Sequence, residues 1–240
     1  MNSTVLSIIT VSAFEEDRLK NTLDSISNLP SQIEHILIVP LTDINSIKIW
    51  DEYKNKFNSK IFFDSKAGIY PAMDLGAQNA LGKFILFLNA GDVISENFSA
   101  SETTQLLTTS NHDAVVFQTE FDWRGSINLS RKNFDDFILQ KHDGYVSHQS
   151  VVISKKAYLE YAFFDFRFKI AADFKQLLSI WLHNNFDLTE LRFTKVEYPK
   201  ESATHNRQGR YETFVILMTC LPRRYRIKAG VQFIVNQMYF

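Results

Sequence analysis

Short apolar runs alternate with amphipathic segments along the first part of this chain. Each run predicts a buried strand, and each segment whose apolar positions recur every three or four residues predicts a helix. The expected strands cover residues 5–11, 36–39, 61–63 and 84–88, and the expected helices cover residues 15–27, 44–57 and 69–81. This alternation is typical of an α/β fold, in which helices cover both faces of a mostly parallel sheet. Ligands of such sheets bind at the carboxyl ends of the strands.

The pattern is looser after residue 92. There we expect helices at residues 103–109, 134–139 and 172–183, and strands at residues 114–121, 150–153 and 186–193. Three residues indicate how the earlier helices begin and end. Asp43 is expected to cap the second helix, Pro71 suits the first turn of the third helix, and Gly82 is expected to end that helix.

From residue 201 onward the sequence is amphipathic and rich in basic side chains. These are Arg207, Arg210, Arg223, Arg224, Arg226 and Lys228. Two interpretations stay open for this tail. It is an interfacial helix that contacts anionic head groups or the diphosphate of a lipid-linked acceptor, or it is a helix pair packed on the domain with its arginines in solvent. Pro222 and the charges interrupt the tail too often for it to span a membrane.

Composition and charge narrow the class of protein. The 240 residues are 45% hydrophobic, which is ample for one domain with a sizeable core. The 26 basic and 27 acidic side chains give a net charge of -1, so no overall field attracts nucleic acid. Cys220 is the single cysteine, which excludes an internal disulfide and fits a reducing compartment. The apolar start lacks a basic leader, so we expect a strand there, not a signal peptide, and a cytoplasmic protein.

The segment at residues 68–92, GIYPAMDLGAQNALGKFILFLNAGD, carries the strongest chemical signal. It places Asp92 just after an apolar strand, where a carboxylate can bind a divalent cation that bridges two phosphates of a nucleotide. Gly91 permits the tight backbone that such a loop needs. Spacing alone leaves an alternative equally open, in which Asp92 only caps the structure that follows.

This segment resembles the family 2 glycosyltransferases, especially the enzymes of bacterial polysaccharide synthesis. Their pattern runs GIYDAMNKGI, ATG, an apolar strand and then FLNAGD or FLNSDD. Three further segments match in the family's order: SIITVSAFEEDRLKNTLDSI at residues 7–26, VSHQS at 146–150 and FKIAADF at 168–174. The matches cover most of residues 5–180, and four matches in order are more specific than any one of them.

The resemblance implies one Rossmann-like domain of the nucleotide-diphospho-sugar transferase (GT-A) type with a C-terminal helical extension. The catalytic domain would span residues 1–200, with a nucleotide-binding half at 1–95 and an acceptor half at 96–200, before a basic tail at 201–240. The implied function is an inverting glycosyltransferase of surface polysaccharide synthesis. A UDP-sugar is the favoured donor, and the acceptor is a glycan or a lipid-linked sugar. Contact of the tail with the inner face of the membrane would suit a lipid-linked acceptor.

The resemblance also implies roles for the residues that match the family's motifs. Asp92 is the expected ligand of Mg²⁺ or Mn²⁺, and Asp173 is the expected base that takes a proton from the acceptor hydroxyl. His148 and Gln149 are expected beside the donor phosphates or the acceptor. The expected donor-binding positions lie at the end of the first strand, Thr10 and Val11, and just after the fourth strand, Asn89, Ala90 and Gly91. From helical periodicity alone, Asp173 is more simply a charge at a helix start, and the alternative for His148 is a structural histidine.

The donor side departs from the family's pattern at several positions. Pro40 replaces the acid that usually follows the second strand, and Asp43 is either the later acid of that motif or only a helix cap. Lys66 stands where the family tends to place an acid, and it is either a partner for a donor phosphate or a solvated lysine. Pro71 replaces the usual Asp of GIYDA.

These departures leave three functions open. The first is an active glycosyltransferase, and the second is a catalytically silent relative that binds a partner enzyme or a glycan. The third is an unrelated α/β nucleotide-binding protein such as a nucleotidyltransferase. The chain contains no GxGxxG or GxxxxGKS/T segment, which disfavours dinucleotide-binding and P-loop proteins. Retention of both Asp92 and Asp173 favours the active transferase.

Overall fold

A computed structural model describes residues 4–65, 68–123, 126–129, 138, 146–197 and 207–238. Within these ranges, nine strands form one sheet in the order β3-β2-β1-β4-β8-β6-β9-β5, with β7 paired to β6. The strands are β1 Leu6–Val11, β2 Ile33–Pro40, β3 Ser59–Asp64, β4 Phe84–Phe87, β5 Val93–Ile94, β6 Ala114–Trp123, β7 Ser126–Leu129, β8 Val151–Ser154 and β9 Phe186–Glu197.

The pairing of the strands determines which loops meet. Strands β3, β2, β1 and β4 are parallel neighbours, so their carboxyl ends lie along one edge of the sheet. Strand β8 runs antiparallel to β4, and the start of β8 therefore lies beside the end of β4. This one antiparallel pair brings a segment from the second half of the chain against the loop that follows β4.

Helices cover both faces of the sheet and build two cores. Their bounds are α1 Glu16–Ile26, α2 Ile44–Tyr53, α3 Ile69–Asn79, α4 Ala100–Thr109, α5 Lys155–Glu160, α6 Ala172–His183, α7 Arg207–Cys220 and α8 Arg223–Met238. One core is formed with α1, α2 and α4, and the other with α3, α5, α6, α7 and α8. The predicted fold class, a mostly parallel α/β domain with a C-terminal helical extension, is confirmed.

Strand β2 begins three residues before its predicted start. The prediction missed this part of the strand because two of its residues have polar side chains that are buried. Glu34 is fully buried and accepts from the hydroxyl of Ser7 at 2.6 Å and from the ammonium of Lys60 at 3.0 Å. These partners tie β2 to β1 and β3 near the amino ends of the strands. A search for apolar runs overlooks such a start, since the burial of Glu34 depends on partners from other strands.

The role predicted for Gly82 is wrong. Helix α3 ends at Asn79, and Ala80 already has an extended backbone. Gly82 instead lies so close to β1 that a Cβ atom would stand 2.6 Å from the backbone nitrogen of Ser7. The glycine is therefore needed for close approach of two backbone segments, not for a left-handed helix end.

The two C-terminal helices pack on the domain. Ile216 and Leu217 of α7 and Phe233 of α8 are buried in the same core as α3 and α6, while Arg223 and Arg224 are exposed. The packed helix pair is therefore present, and contact of the tail with anionic head groups or a lipid-linked acceptor stays a prediction. None of the helices in the described ranges combines the length and apolarity that crossing a bilayer requires. The predicted boundary at residue 200 and the helix at 134–139, apart from the buried Ile138, lie outside the described residues.

A buried histidine of β2 makes the fold sensitive to acid. Nδ1 of His35 is 3.1 Å from the hydroxyl of Ser59, while Nε2 is buried with no hydrogen-bond partner. Burial lowers the pKa of His35 from 6.5 to about 3, because the charged imidazolium would lose its water. Between these two pKa values the unfolded chain binds a proton that the folded chain does not.

We expect the free energy of unfolding to fall by about 2 kcal/mol from this group between pH 7.5 and pH 5. The effect is absent well above pH 6.5, where both states are neutral, and it grows as the pH falls towards 3. Urea unfolding of wild type and His35→Leu at the two pH values measures it, and the variant should lose less stability than wild type. The exposed His112, changed to Gln, is the control. Equal pH dependence in wild type and His35→Leu would contradict the prediction.

Candidate active site

The loop after β4 is held by helix α1. The buried hydroxyl of Thr22 donates to the carbonyl oxygen of Asp92 at 2.8 Å and accepts from the backbone N–H of Gly91 at 2.9 Å. The N–H of Gly91 also lies 3.1 Å from the carbonyl oxygen of Arg18. Residues 89–92 are thus fixed by contacts to a helix as well as by the end of the strand.

The backbone of Gly91 explains why a glycine stands at this position. Its φ of 99° lies in the region that side chains disfavour, which agrees with the predicted need for a glycine at this tight turn. The guanidinium of the exposed Arg18 lies over Gly91 and places a positive charge near Asp92.

Asp92 does not cap a helix. Its side chain forms a hydrogen bond with Gln149, which lies just before β8. The Gln149 amide donates to Oδ2 of Asp92 at 2.9 Å, and both side chains are buried. Burial raises the pKa of Asp92, although the Gln149 hydrogen bond and the nearby His148 and Arg18 act in the opposite direction. The negative charge of this carboxylate is therefore incompletely compensated by the protein.

His148 connects the same loop to Asp173. Nδ1 of His148 is 3.4 Å from Oδ2 of Asp173, and Nε2 is 3.4 Å from the amide nitrogen of Asn89. Both distances are long for hydrogen bonds, and such contacts commonly tighten when substrate binds. The short 3₁₀ turn His148–Ser150 thus presents neighbouring side chains to two different carboxylates, Asp92 and Asp173.

Asp173 stands in the first turn of α6, at the junction with α3. The hydroxyl of Tyr70 lies 2.5 Å from the carbonyl oxygen of Ile170 and 3.2 Å from Oδ1 of Asp173. That oxygen also accepts from the N–H of Phe174 at 2.7 Å. Asp173 is about a third exposed, so one carboxylate is open to solvent while Asp92 is buried.

The loop fits a divalent cation. Oδ1 of Asn89 is buried with no hydrogen-bond partner, and it belongs to the same loop as the buried carboxylate of Asp92. Mg²⁺ is usually bound through one or two carboxylates together with substrate phosphates and water. In the described part of the chain, no group of three or more His, Cys, Asp or Glu side chains is arranged to hold an ion. Asp92 and Asn89 are the residues that would contribute oxygen ligands.

Two groups of predicted donor-binding residues outside the β4 loop lie within the described ranges. The hydroxyl of Thr10 is buried without a partner, and the carbonyl oxygen of Val11 accepts from the N–H of Ala90 at 3.2 Å, which places both residues beside the β4 loop. Asp43 is buried, and its carboxylate accepts from Phe14 N–H at 2.6 Å and from Ser46 N–H at 3.1 Å.

The cap interpretation of Asp43 is therefore confirmed, while its contact with a donor stays a prediction. Lys66 lies outside the described residues. The functional roles inferred for the other residues also stay predictions, although the structure brings Asn89, Asp92, His148, Gln149 and Asp173 together. Sequence reasoning missed Thr22, which holds the loop, and Tyr70, which belongs to the GIY segment and so lay inside a motif already recognised.

Comparisons with known proteins agree with this fold. The sequence model of Glycosyl transferase family 2 matches residues 7–158, and the chain belongs to this family of nucleotide-sugar transferases. No curated protein matches the chain. The matched residues contain the loop after β4 and the His148–Gln149 pair, whereas Asp173 lies beyond them.

Solved structures share the fold at low identity. S. aureus TarS residues 1–349 with UDP-GlcNAc has a TM-score of 0.75 and 13% identity, covering 98% of this chain and 73% of that one. A longer TarS structure has a TM-score of 0.73 and 14% identity, and the match covers 98% of this chain and 44% of that one. The mannosyltransferase PcManGT of Pyrobaculum calidifontis, with GDP-Man and Mn²⁺, has a TM-score of 0.65 and 13% identity. The match covers 95% of this chain and 69% of that one.

Proposed function

We propose that this protein is an inverting, metal-dependent glycosyltransferase that moves a sugar from a nucleotide-diphospho-sugar to a hydroxyl of a glycan or lipid-linked acceptor. The observation that carries the proposal is the link between two carboxylates. Gln149 bonds to Asp92, and the adjacent His148 contacts Asp173. One carboxylate beside the strand ends and one at a helix start thus share a site.

The chemistry divides between the two carboxylates. Asp173 accepts the proton of the acceptor hydroxyl while the oxygen of that hydroxyl forms a bond to the anomeric carbon of the donor sugar. The bond from that carbon to the diphosphate breaks, and the nucleoside diphosphate leaves with the bonding electrons. A single displacement of this kind inverts the anomeric configuration. His148 and Tyr70 orient Asp173 through contacts of 3.4 Å and 3.2 Å.

Asp92 serves the leaving group. A Mg²⁺ or Mn²⁺ ion held there supplies positive charge that stabilises the departing diphosphate. The protein prepares the position by burying a carboxylate whose charge Gln149 only partly satisfies. Thr22 and Gly91 hold the backbone of the loop at this position.

A UDP-sugar is the donor that we favour, and surface polysaccharide synthesis is the expected process. Support comes from the family and from the S. aureus structure that contains UDP-GlcNAc, while the P. calidifontis structure contains GDP-Man. For a lipid-linked acceptor we propose peripheral contact with the inner face of the membrane. Helix α8 exposes Ile227, Val231 and Ile234 along one side, next to exposed Arg223 and Arg224, which suits an anionic lipid surface.

A catalytically silent relative is the competing function, favoured by the donor side of the site. Pro40 stands in place of an acid, and the carboxylate of Asp43 is occupied by Phe14 and Ser46. A silent protein would keep the fold without releasing nucleoside diphosphate from any donor.

A donor screen decides between the two functions. We expect one nucleoside diphosphate, with UDP favoured, to raise the melting temperature in the presence of Mn²⁺ or Mg²⁺. At a ligand concentration of 100 Kd, the stabilisation is about 2.7 kcal/mol. The matching nucleotide sugar should then be turned over, with the nucleoside diphosphate released. Absence of any shift with uridine, guanosine, cytidine, adenosine and thymidine diphosphates plus metal would instead support the silent function.

A further inference from the structure

A carboxylate of the C-terminal helix α7 binds the segment that leads into Asp173. Oε2 of Glu212 accepts from the N–H of Ile170 at 2.8 Å and from that of Ala171 at 3.0 Å. Oε1 accepts from the N–H of Lys169 at 3.1 Å and from the side-chain amide of Gln208 at 2.9 Å. Both oxygens of one side chain therefore hold three consecutive peptide groups.

This contact joins distant parts of the chain in a buried place. Glu212 is 7% exposed, and it follows Ala171 by 41 residues in sequence. Burial alone would raise the pKa of Glu212, but the hydrogen bonds from Ile170, Ala171, Gln208 and Lys169 together outweigh it, so the pKa lies below its usual range. The side chain is consequently ionised at neutral pH, as acceptance from three N–H groups requires.

The three bound peptide groups immediately precede the proposed base. Helix α6 begins at Ala172, so Glu212 binds the residues just before the first turn that carries Asp173. On the other side, Tyr70 contacts both the Ile170 carbonyl oxygen and Oδ1 of Asp173. The base is thus held from α3 through a hydroxyl and from α7 through a carboxylate.

We propose that Glu212 is a positioning residue for sugar transfer, which fixes residues 169–171 and through them the carboxylate of Asp173. This role rests on the proposed function. It makes helix α7 part of the active site, although Glu212 itself touches no substrate. A shift of the base of about 1 Å is enough to reduce a reaction rate by up to about 100-fold.

Glu212→Gln tests this role, because the amide keeps the size of the side chain but presents an NH₂ group towards peptide N–H donors. We expect kcat for transfer to fall about tenfold, with an unchanged KM for the donor and an unchanged thermal shift with nucleoside diphosphate and Mn²⁺. Backbone amides of residues 170 and 171 should also exchange with deuterium faster. Tyr211→Ala, on the exposed side of the same helix, is the matched control and should behave as wild type.

A double variant separates positioning from general stabilisation. If Glu212 acts through Asp173, adding Glu212→Gln to Asp173→Asn should lower the residual rate by less than twofold. If Glu212→Gln lowered the rate of the Asp173→Asn protein by the same factor of about ten as in wild type, the proposal would be overturned. Wild-type kcat in a folded Glu212→Gln protein would overturn it as well. If Glu212→Gln does not fold, Glu212→Asp keeps the charge, and its kcat should fall by a smaller factor at constant donor KM. A wild type that is inactive with every donor refutes the proposed function itself, a result distinct from an active Glu212→Gln.

Discussion

Asp173→Asn is expected to lower the rate of sugar transfer by about 10²–10⁴-fold, the contribution of a well-placed general base. The amide has nearly the same shape but cannot take the proton of the acceptor hydroxyl. Because Asp173 is separated from Asp92 by His148 and Gln149, binding of the donor should be unaffected. Release of nucleoside diphosphate measures the rate, and the thermal shift with nucleoside diphosphate and metal measures binding.

The control addresses the simpler explanation that Asp173 only supplies a charge to a helix start. Glu102 is an exposed acid in the first turn of α4. Its change to Gln removes the same kind of charge and should leave transfer unchanged. Wild-type transfer by Asp173→Asn would remove this residue from the mechanism and leave it a helix-terminal charge.

Asp92→Asn is expected to abolish the stabilisation that metal and nucleoside diphosphate give together, about 2.7 kcal/mol at 100 Kd of ligand. Transfer should fall by about 10²–10³-fold, because the leaving group loses its electrostatic stabilisation. Without ligand the variant should be at least as stable as wild type. The pKa of Asp92 is raised by burial, so its charged form costs the folded state free energy at neutral pH, and a neutral amide removes that cost.

These opposite changes distinguish a binding site from a structural contact. Loss of the ligand effect together with unchanged or higher stability of the free protein indicates a carboxylate kept for ligand binding. A structural role predicts instead that Asp92→Asn unfolds more easily and still responds to metal and nucleotide. Guanidinium unfolding without ligand, followed by melting curves with Mn²⁺ and nucleoside diphosphate, separates the two outcomes.

The sequence predicted those parts of the fold whose signals are local. The strand–helix alternation of the first half and helix α6, which has the predicted bounds Ala172–His183, follow from apolar periodicity. The two-residue strand β5 and the six-residue helix α5 were missed. The helix has less than two turns and the strand has a single alternation, so neither contains enough of a repeating pattern to be recognised. The start of β2 was missed because Glu34 and His35 are polar and buried.

The family's motifs identified some of the residues that the structure brings together and left others out. Asp92, His148 and Asp173 were singled out on matched segments, and the antiparallel β4–β8 pair explains why the loop of Asp92 lies against the turn that carries His148. Thr22 lies inside the matched segment at residues 7–26, but nothing local marks its role, and Glu212 lies outside every matched segment. Each acts on a backbone segment 41 or more residues away, through hydrogen bonds that exist only after the chain has folded.

His148 and Gln149 are consecutive residues, yet each contacts a different carboxylate. We therefore expect a displacement of Asp92 on donor binding to reach the imidazole next to Asp173 through a single peptide unit, whereas Asp173→Asn nearly keeps the shape of that side chain and leaves the imidazole and the donor site in place. Initial-velocity kinetics should show this as compulsory order, with the nucleotide sugar entering first and the alcohol second. Random entry would mean that the two carboxylates respond to their substrates independently.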